Sequence, residues 1–140
     1  MAEYTNVAIQ TVAVGQNVLF SDIPVHGTKC IVHREGAGIT TLRGLTNQCR
    51  ARFRVWFGGN IAVPTGEDVG PISLALSITG EPLPASSMIV SPTLEDRYFN
   101  VSSAAFIDVP AGCCLTVAVE NTSTIPVNVQ NANLIIERVA

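Results

Sequence analysis

Charge is scarce in this sequence. Only 14% of its 140 residues are charged and 47% are apolar, whereas ordinary globular domains carry about a quarter charged residues. Lysine is almost missing: Lys29 stands alone beside seven arginines, and the net charge is −3. Nonspecific nucleic-acid binding depends on neutralising phosphates, so no direct nucleic-acid partner is expected. Long apolar runs are also missing. No stretch approaches the roughly eighteen apolar residues of a membrane-crossing helix, and no membrane partner is expected. The opening Met-Ala-Glu-Tyr-Thr-Asn lacks the basic-then-apolar order of a secretion signal.

Catalytic signatures are absent in the same way. Histidine occurs only at His26 and His33, and together with Glu35 these are too few for a clustered metal site. Loop or surface histidines are the expectation. There is no H-E-x-x-H, no G-x-S-x-G and no phosphate loop. The expectation is therefore a protein that is not an enzyme and has no catalytic residues, cofactor or metal. The acidic pairs Glu67-Asp68 and Glu95-Asp96 lie in loop-like sequence; loop oxygens suit calcium, but solvated loops are the simpler reading. Cys30, Cys49, Cys113 and Cys114 show no C-x-x-C spacing, so zinc is not expected. Adjacent residues of a strand point to opposite faces, so Cys113 and Cys114 do not bond each other. Small buried thiols are the expectation, and a Cys30–Cys49 bridge stays open.

What is present is alternation. Ala51, Phe53, Val55 and Phe57 share one face and Arg50, Arg52, Arg54 and Trp56 the other, the period of two that marks a half-buried strand. Gly58-Gly59-Asn60 is expected to end this strand as a turn, with a short strand at Ile61 to Pro64. Leu74, Leu76 and Ile78 alternate likewise, as do Leu115, Val117 and Val119. Val12 to Phe20 reads as a hairpin across Gly15-Gln16-Asn17, Asp22 to Gly27 as a loop, and Thr28 to Arg34 as a strand. After a turn at Gly36-Ala37-Gly38 come strands at Ile39 to Leu45, Met88 to Val90, Tyr98 to Ser103 and Phe106 to Val109. The last run, Pro126 to Val139, changes phase: Val127 and Val129 share one face, Leu134 and Ile136 the other. The step Gln130-Asn131-Ala132-Asn133 is the expected bulge. Leu134-Ile135-Ile136 is apolar on both faces, as in a strand covered from both sides. With no helix and about eight to ten short strands, the chain is expected to be all-β, a single antiparallel jelly-roll sandwich over residues 1–140. An apolar chain with so little charge is best explained by an oligomer.

The comb of Arg50, Arg52 and Arg54 beside Trp56 holds three of only eight basic residues. One reading is a contact face for an acidic partner or glycan, with arginine forks and a stacking indole. The other is that the comb pairs with acids on neighbouring strands or a neighbouring subunit, which like charges along one strand generally need. Asn100-Val101-Ser102 and Asn121-Thr122-Ser123 match the glycosylation sequon, and without a secretion signal they are read as turn or strand residues.

The order Asp108-Val109-Pro110-Ala111-Gly112, strand, Asn121-Thr122-Ser123, strand ending Ile136-Glu137-Arg138-Val139 resembles the closing hairpin of tumour necrosis factor-like jelly rolls. It is most similar to the bacterial and phage type, including the C-terminal domains of collagen-like spore-surface glycoproteins. Ile72-Ser73-Leu74-Ala75-Leu76 followed by Pro82-Leu83-Pro84 resembles the middle hairpin of the same group, with Thr79-Gly80 where Asn-Gly is usual. The resemblance implies a homotrimer about the final strand, with Leu134, Ile135 and Ile136 at the subunit interface. The glycines follow no three-residue period, so no collagen-like stalk is present. A module of this kind without an export signal fits a phage virion protein, a capsid decoration or head fibre assembled in the bacterial host cytoplasm beside other virion proteins such as the capsid. The alternative is a carbohydrate- or receptor-binding module at a fibre tip or a bacterial or spore surface.

Overall fold

The alternating runs pair into two antiparallel sheets whose apolar faces meet. The computed structural model describes residues 1–34 and 38–140, Arg34 by its backbone alone. Glu35 and most of the turn expected at Gly36-Ala37-Gly38 lie outside these residues. Twelve strands are described: β1 Ala2–Asn6, β2 Gln10–Val12, β3 Asp22–Val25, β4 Ile31–Arg34, β5 Ile39–Arg43, β6 Arg50–Ala62, β7 Ile72–Ile78, β8 Glu81–Pro82, β9 Met88–Val90, β10 Phe99–Pro110, β11 Cys114–Asn121 and β12 Val127–Arg138. A single 3-10 turn, Pro84–Ser86, is the only helical element among the described residues. The first sheet has the order β10-β6-β12-β1-β3 with β2 also on β12; the second has β4-β5-β11-β7-β8 with β9 also on β7. The chain is an antiparallel jelly-roll sandwich, as the sequence implies.

β6 and β12 make the middle of the first sheet. Ala51, Phe53, Val55, Phe57 and Ile61 are buried along β6, and Val127, Val129, Ala132, Leu134 and Ile136 along β12. The expected bulge is present: the register with β6 shifts between Gln130 and Asn133, and Asn131 takes a left-handed φ of 54°. The extra residue there reverses the alternation. Val127 and Val129 on one side of the bulge and Leu134 and Ile136 on the other thus all face inward.

Several expectations are corrected. Gly58-Gly59-Asn60 is no turn, because β6 continues through it and pairs Gly58 with Ser102 and Asn133, and Gly59 with Val101. A Cβ on Gly59 would stand 3.2 Å from the Phe57 ring and 3.5 Å from the Ala132 Cα, so this glycine serves close packing at the bulge. Val12 to Phe20 is no hairpin either. Val12 pairs with Val127 in the first sheet, while the Val18 N–H donates to the Val119 carbonyl in the second at 2.8 Å. Residues 13–17 therefore cross between sheets, turning at Gly15 with φ 74°. Asp22–Val25, expected as loop, forms edge strand β3, where Pro24 is tolerated because one side of the strand needs no donors. The two strands expected over residues 98–109 are one, β10.

The opposite edge of the sandwich is closed by rings. His33 stacks on Tyr4 at 4.4 Å between centroids, and Phe20 meets both His33 and Phe57 edge-on at 6.4 and 6.5 Å. His33 is thus a packing residue, not a loop histidine, while His26 is exposed. The Asn121-Thr122-Ser123 loop is a closed polar network. The buried Asn121 amide donates to the carbonyls of Val12 and Ile125, both at 3.0 Å, and accepts from the Ser123 N–H at 2.8 Å. The cysteines correct another expectation: all four are free thiols, Cys49, Cys113 and Cys114 exposed and Cys30 partly so. Cys49 and Cys113 lie in connections at the end of the sandwich, and Cys114 begins β11, beyond the reach of the core.

The two glycines of β6 separate packing from propensity. Gly59→Ala should lower stability by about 1–3 kcal/mol, because the new methyl presses on the fully buried Phe57 ring. Gly58→Ala has open space around its Cβ and should be neutral or slightly stabilising. Denaturant unfolding of both variants checks the contrast.

Candidate functional site

The outward face of the first sheet is where the unusual residues collect. Pairing in register forms a row across five strands, Ala104–Trp56–Ile135–Glu3–Val25. Next to it lies the row Phe106–Arg54–Glu137. Phe106 is 64% exposed and Val25 40%; Ala104 is exposed, and Trp56 and Ile135 are half-buried. The result is an apolar band interrupted only by Glu3, whose carboxylate accepts a 2.6 Å hydrogen bond from the Asn133 amide. On one side the band is bordered by polar residues, Ser102, Gly58, Asn133 and Thr5, and beyond them by Asn100 hydrogen-bonded to Asn60.

On the other side it is bordered by the arginine comb, which is paired within the chain. Arg52 grips Asp108 of β10 with two prongs, Nε to Oδ1 at 2.7 Å and Nη2 to Oδ2 at 3.1 Å. Arg50 shares the same carboxylate at 3.4 Å, and Arg54 meets Glu137 of β12 at 3.6 Å. The Arg54 guanidinium also lies over the Trp56 ring, 3.7 Å from its centroid, a cation–π contact that shapes the edge of the band. The acids could not be matched to the arginines from the sequence, because the register joining Arg52 to Asp108 spans 56 residues.

The three residues expected at a subunit interface separate. Leu134 and Ile136 are fully buried in the chain's own core, so neither is available to a neighbouring molecule. Ile135 alone faces outward, against Trp56 and Glu3. Phe106, which alternation hid inside an apolar strand, is the larger exposed group.

Other candidate chemistry is sparse. Among the described residues no group of three or more His, Cys, Asp or Glu could hold a metal ion. Glu67 and Asp68 sit in one loop and Glu95 and Asp96 in another, joined by the Thr65 hydroxyl bonded to Asp96 and by the Asp96 N–H donating to the Val63 carbonyl at 2.9 Å. A groove near 600 Å³ runs along β2, lined by uncharged residues including Gln10, Thr11, Gln16 and Leu19. The Gln10 amide occupies part of it, bonding both the N–H and the carbonyl of Leu19.

The fold is that of tumour necrosis factor and C1q-like jelly rolls. The globular domain of zebrafish complement 1qA protein superposes with a TM-score of 0.71 at 14% identity, over 99% of this chain and 96% of that one. Eiger TNF from S. frugiperda gives 0.70 at 15% identity over 99% and 91%, and murine APRIL 0.52 at 12% over 95% and 97%. No family model and no curated protein matches the sequence. No helix among the described residues is long and apolar enough to cross a membrane.

Two carboxylates should respond to pH with opposite sign. The hydrogen bonds from Arg52, aided by the charges of Arg52 and Arg50, hold Asp108 below its ordinary value of 3.8 against a smaller opposing effect of burial. Its contribution is therefore present above 3.8 and lost as pH falls through the folded value. Arg52→Ala should lower Tm by a few degrees at most at neutral pH, since the pair is solvent-exposed, and the difference should vanish in acid. Burial, and secondarily Glu81, raises Glu120 above 4.5. Its favourable contribution exists below 4.5 and is lost as pH rises through the folded value. Glu120→Gln should then raise Tm at neutral pH and converge on wild type on acidification, in the same melting series.

Proposed function

We propose that the chain is a non-enzymatic structural module that assembles as a homotrimer through the outward face of its first sheet and serves in a phage virion, as capsid decoration or head fibre. The observation that carries the assembly is the apolar band of Phe106, Ala104, Trp56 and Ile135. An indole, a phenyl ring and a branched aliphatic on neighbouring positions of one sheet face are costly to leave in water. The charges bordering it are engaged within the chain, Arg52 and Arg50 sharing Asp108 and Arg54 meeting Glu137. A second copy of the same chain, itself poor in charge, covers Phe106, Ala104, Trp56 and Ile135 without breaking an ion pair, and Glu3 keeps its hydrogen bond from Asn133. The jelly-roll fold is compatible with this arrangement, and the virion setting rests on the resemblance to bacterial and phage jelly rolls. Its partners there are further copies of itself and other virion proteins.

A second reading, a glycan-binding module at a fibre tip or bacterial surface, is favoured by the uncharged groove along β2, whose amides and hydroxyls suit a neutral sugar. Binding to a glycan array that is lost on Gln16→Ala would support it.

The assembly reading is tested by light scattering at micromolar concentration. The wild type should be trimeric, and Ile135→Glu should give monomer or insoluble protein, because an unpaired carboxylate in a dry interface is strongly disfavoured. A monomeric wild type would sink the proposal. In a phage preparation the protein should cosediment with particles at a simple multiple of three copies; recovery only from the soluble fraction beside intact particles would remove the virion setting.

A further inference from the structure

The few charges of this chain are sorted by position. β6 rises about 40 Å over its 13 residues, and β10 returns beside it from Phe99 to Pro110. The Arg50 end of this pair and the loops 63–71 and 91–98 therefore lie at opposite ends of the sandwich. Backbone bonds gather three connections at the Arg50 end. The Ala111 N–H donates to the Cys49 carbonyl at 3.0 Å, the Gly44 N–H to Cys113 at 2.9 Å, and the Arg43 N–H to Cys30 at 2.8 Å. Arg138 joins them, donating to the Leu45 carbonyl at 2.8 Å.

Six of the eight basic residues collect there: Lys29, Arg43, Arg50, Arg52, Arg54 and Arg138. Only Asp108 and Glu137 oppose them among the described residues of that end, and both are already held by arginines. At the far end Glu67, Asp68, Glu95 and Asp96 are accompanied among the described side chains by Arg97. The basic pole also exposes apolar residues, Leu45 at 48% and Val139 at 42%. Arg138 holds the Leu45 carbonyl, and the Val139 N–H bonds the Arg52 carbonyl at 2.8 Å, so both residues belong to this end.

We propose that this pole is a docking surface for a carboxylate-rich face of another protein, engaged end-on. Exposed apolar residues beside charged ones suit a protein partner, which can cover the first while pairing the second. Arginine forks suit carboxylates, and Arg52 already holds one in two-pronged fashion. A long polyanion such as nucleic acid fits less well, because a strand lying along the 40 Å axis would meet the acidic far end. The inference deepens the virion reading and rests on it for the setting of the partner. The chemistry of the pole stands without it.

The test titrates poly-L-glutamate and a short DNA duplex against the full chain at about 50 and about 300 mM salt. Poly-L-glutamate should bind at low salt, weaken at high salt, and bind more tightly than DNA. The double variant Lys29→Glu/Arg43→Glu should lose about tenfold or more of that affinity, with Arg97→Glu at the far pole unchanged. Neither reversed residue belongs to a described ion pair, so melting should match wild type. Should the double reversal not fold, Lys29→Gln/Arg43→Gln should show a smaller loss in the same direction. DNA binding tighter than poly-L-glutamate, no binding of either at low salt, or unchanged affinity in the charge variants would overturn the proposal. Light scattering on the same samples keeps the two ideas apart: a trimer that ignores poly-L-glutamate overturns the pole, and a monomer that binds it overturns only the assembly.

Discussion

The rest of the structure depends on the contact between β6 and β12 across a bulge. β6 has to keep one face apolar over thirteen residues, since Phe53, Val55, Phe57 and Ile61 all belong to the core. β12 cannot match that length in regular alternation, because its sequence changes phase midway. Asn131 absorbs the change by entering the left-handed region, which asparagine tolerates better than most residues. The bulge in turn draws the Ala132 backbone toward β6, and Gly59 leaves the room for it. Strain, register and glycine placement are here one constraint. Lose the bulge, and either Val127 and Val129 or Leu134 and Ile136 would point to solvent.

The same constraint determines what is left outside. With every odd position of β6 from Ala51 to Ile61 committed inward, its charged residues and Trp56 have only the even positions. The outward face therefore reads in order Arg50, Arg52, Arg54, Trp56, Gly58, Asn60, from charged through apolar to polar. Its neighbours answer row by row: Asp108 beside Arg52, Glu137 beside Arg54, Ala104 and Ile135 beside Trp56, Ser102 and Asn133 beside Gly58. Complementarity of rows across strands is how a sheet stabilises an exposed face.

Much of this fold was legible in the sequence, and what was not has physical reasons. Alternation located the strands at Arg50–Phe57, Ser73–Thr79 and Leu115–Glu120, although Ala75, Ser77 and Ala118, read as outward, are buried. The bulge at Gln130–Asn133 announced itself as a change of phase. The turn expected at Gly58-Gly59 failed because paired glycines can serve close approach as well as reversal, and only the partner strand decides between them. Val12 and Val18 share a phase, yet they belong to different sheets; periodicity reports which residues are inward, not which core layer they enter. The site was partly legible. Arg50, Arg52, Arg54 and Trp56 were placed on one outward face, but their acidic partners and the exposed Phe106 depend on pairing between distant segments. Leu134, Ile135 and Ile136 read as apolar on both faces, and only the sheet showed that a single member, Ile135, is turned outward.

The cysteines and the arginines together show how the ends of the sandwich differ from its middle. A jelly roll passes the chain from sheet to sheet at its ends, so the connections there cannot be buried by strands. Between β5 and β6 and between β10 and β11 the chain closes this gap by bonding one connection to the other, Ala111 to Cys49 and Gly112 and Cys113 to Gly44. Gly44 is needed at this crossing: a Cβ would come within 2.2 Å of the Pro110 carbonyl oxygen. Arg138 finishes the end by reaching from β12 to the carbonyl of Leu45 and the thiol of Cys30 at 3.3 Å. A guanidinium suits that position because its donors satisfy carbonyls that the turns leave unpaired while its charge remains near water. Cys49 and Cys113 are consequently small residues in exposed connections, and Arg138 brings its positive charge to this end through the closing of the fold.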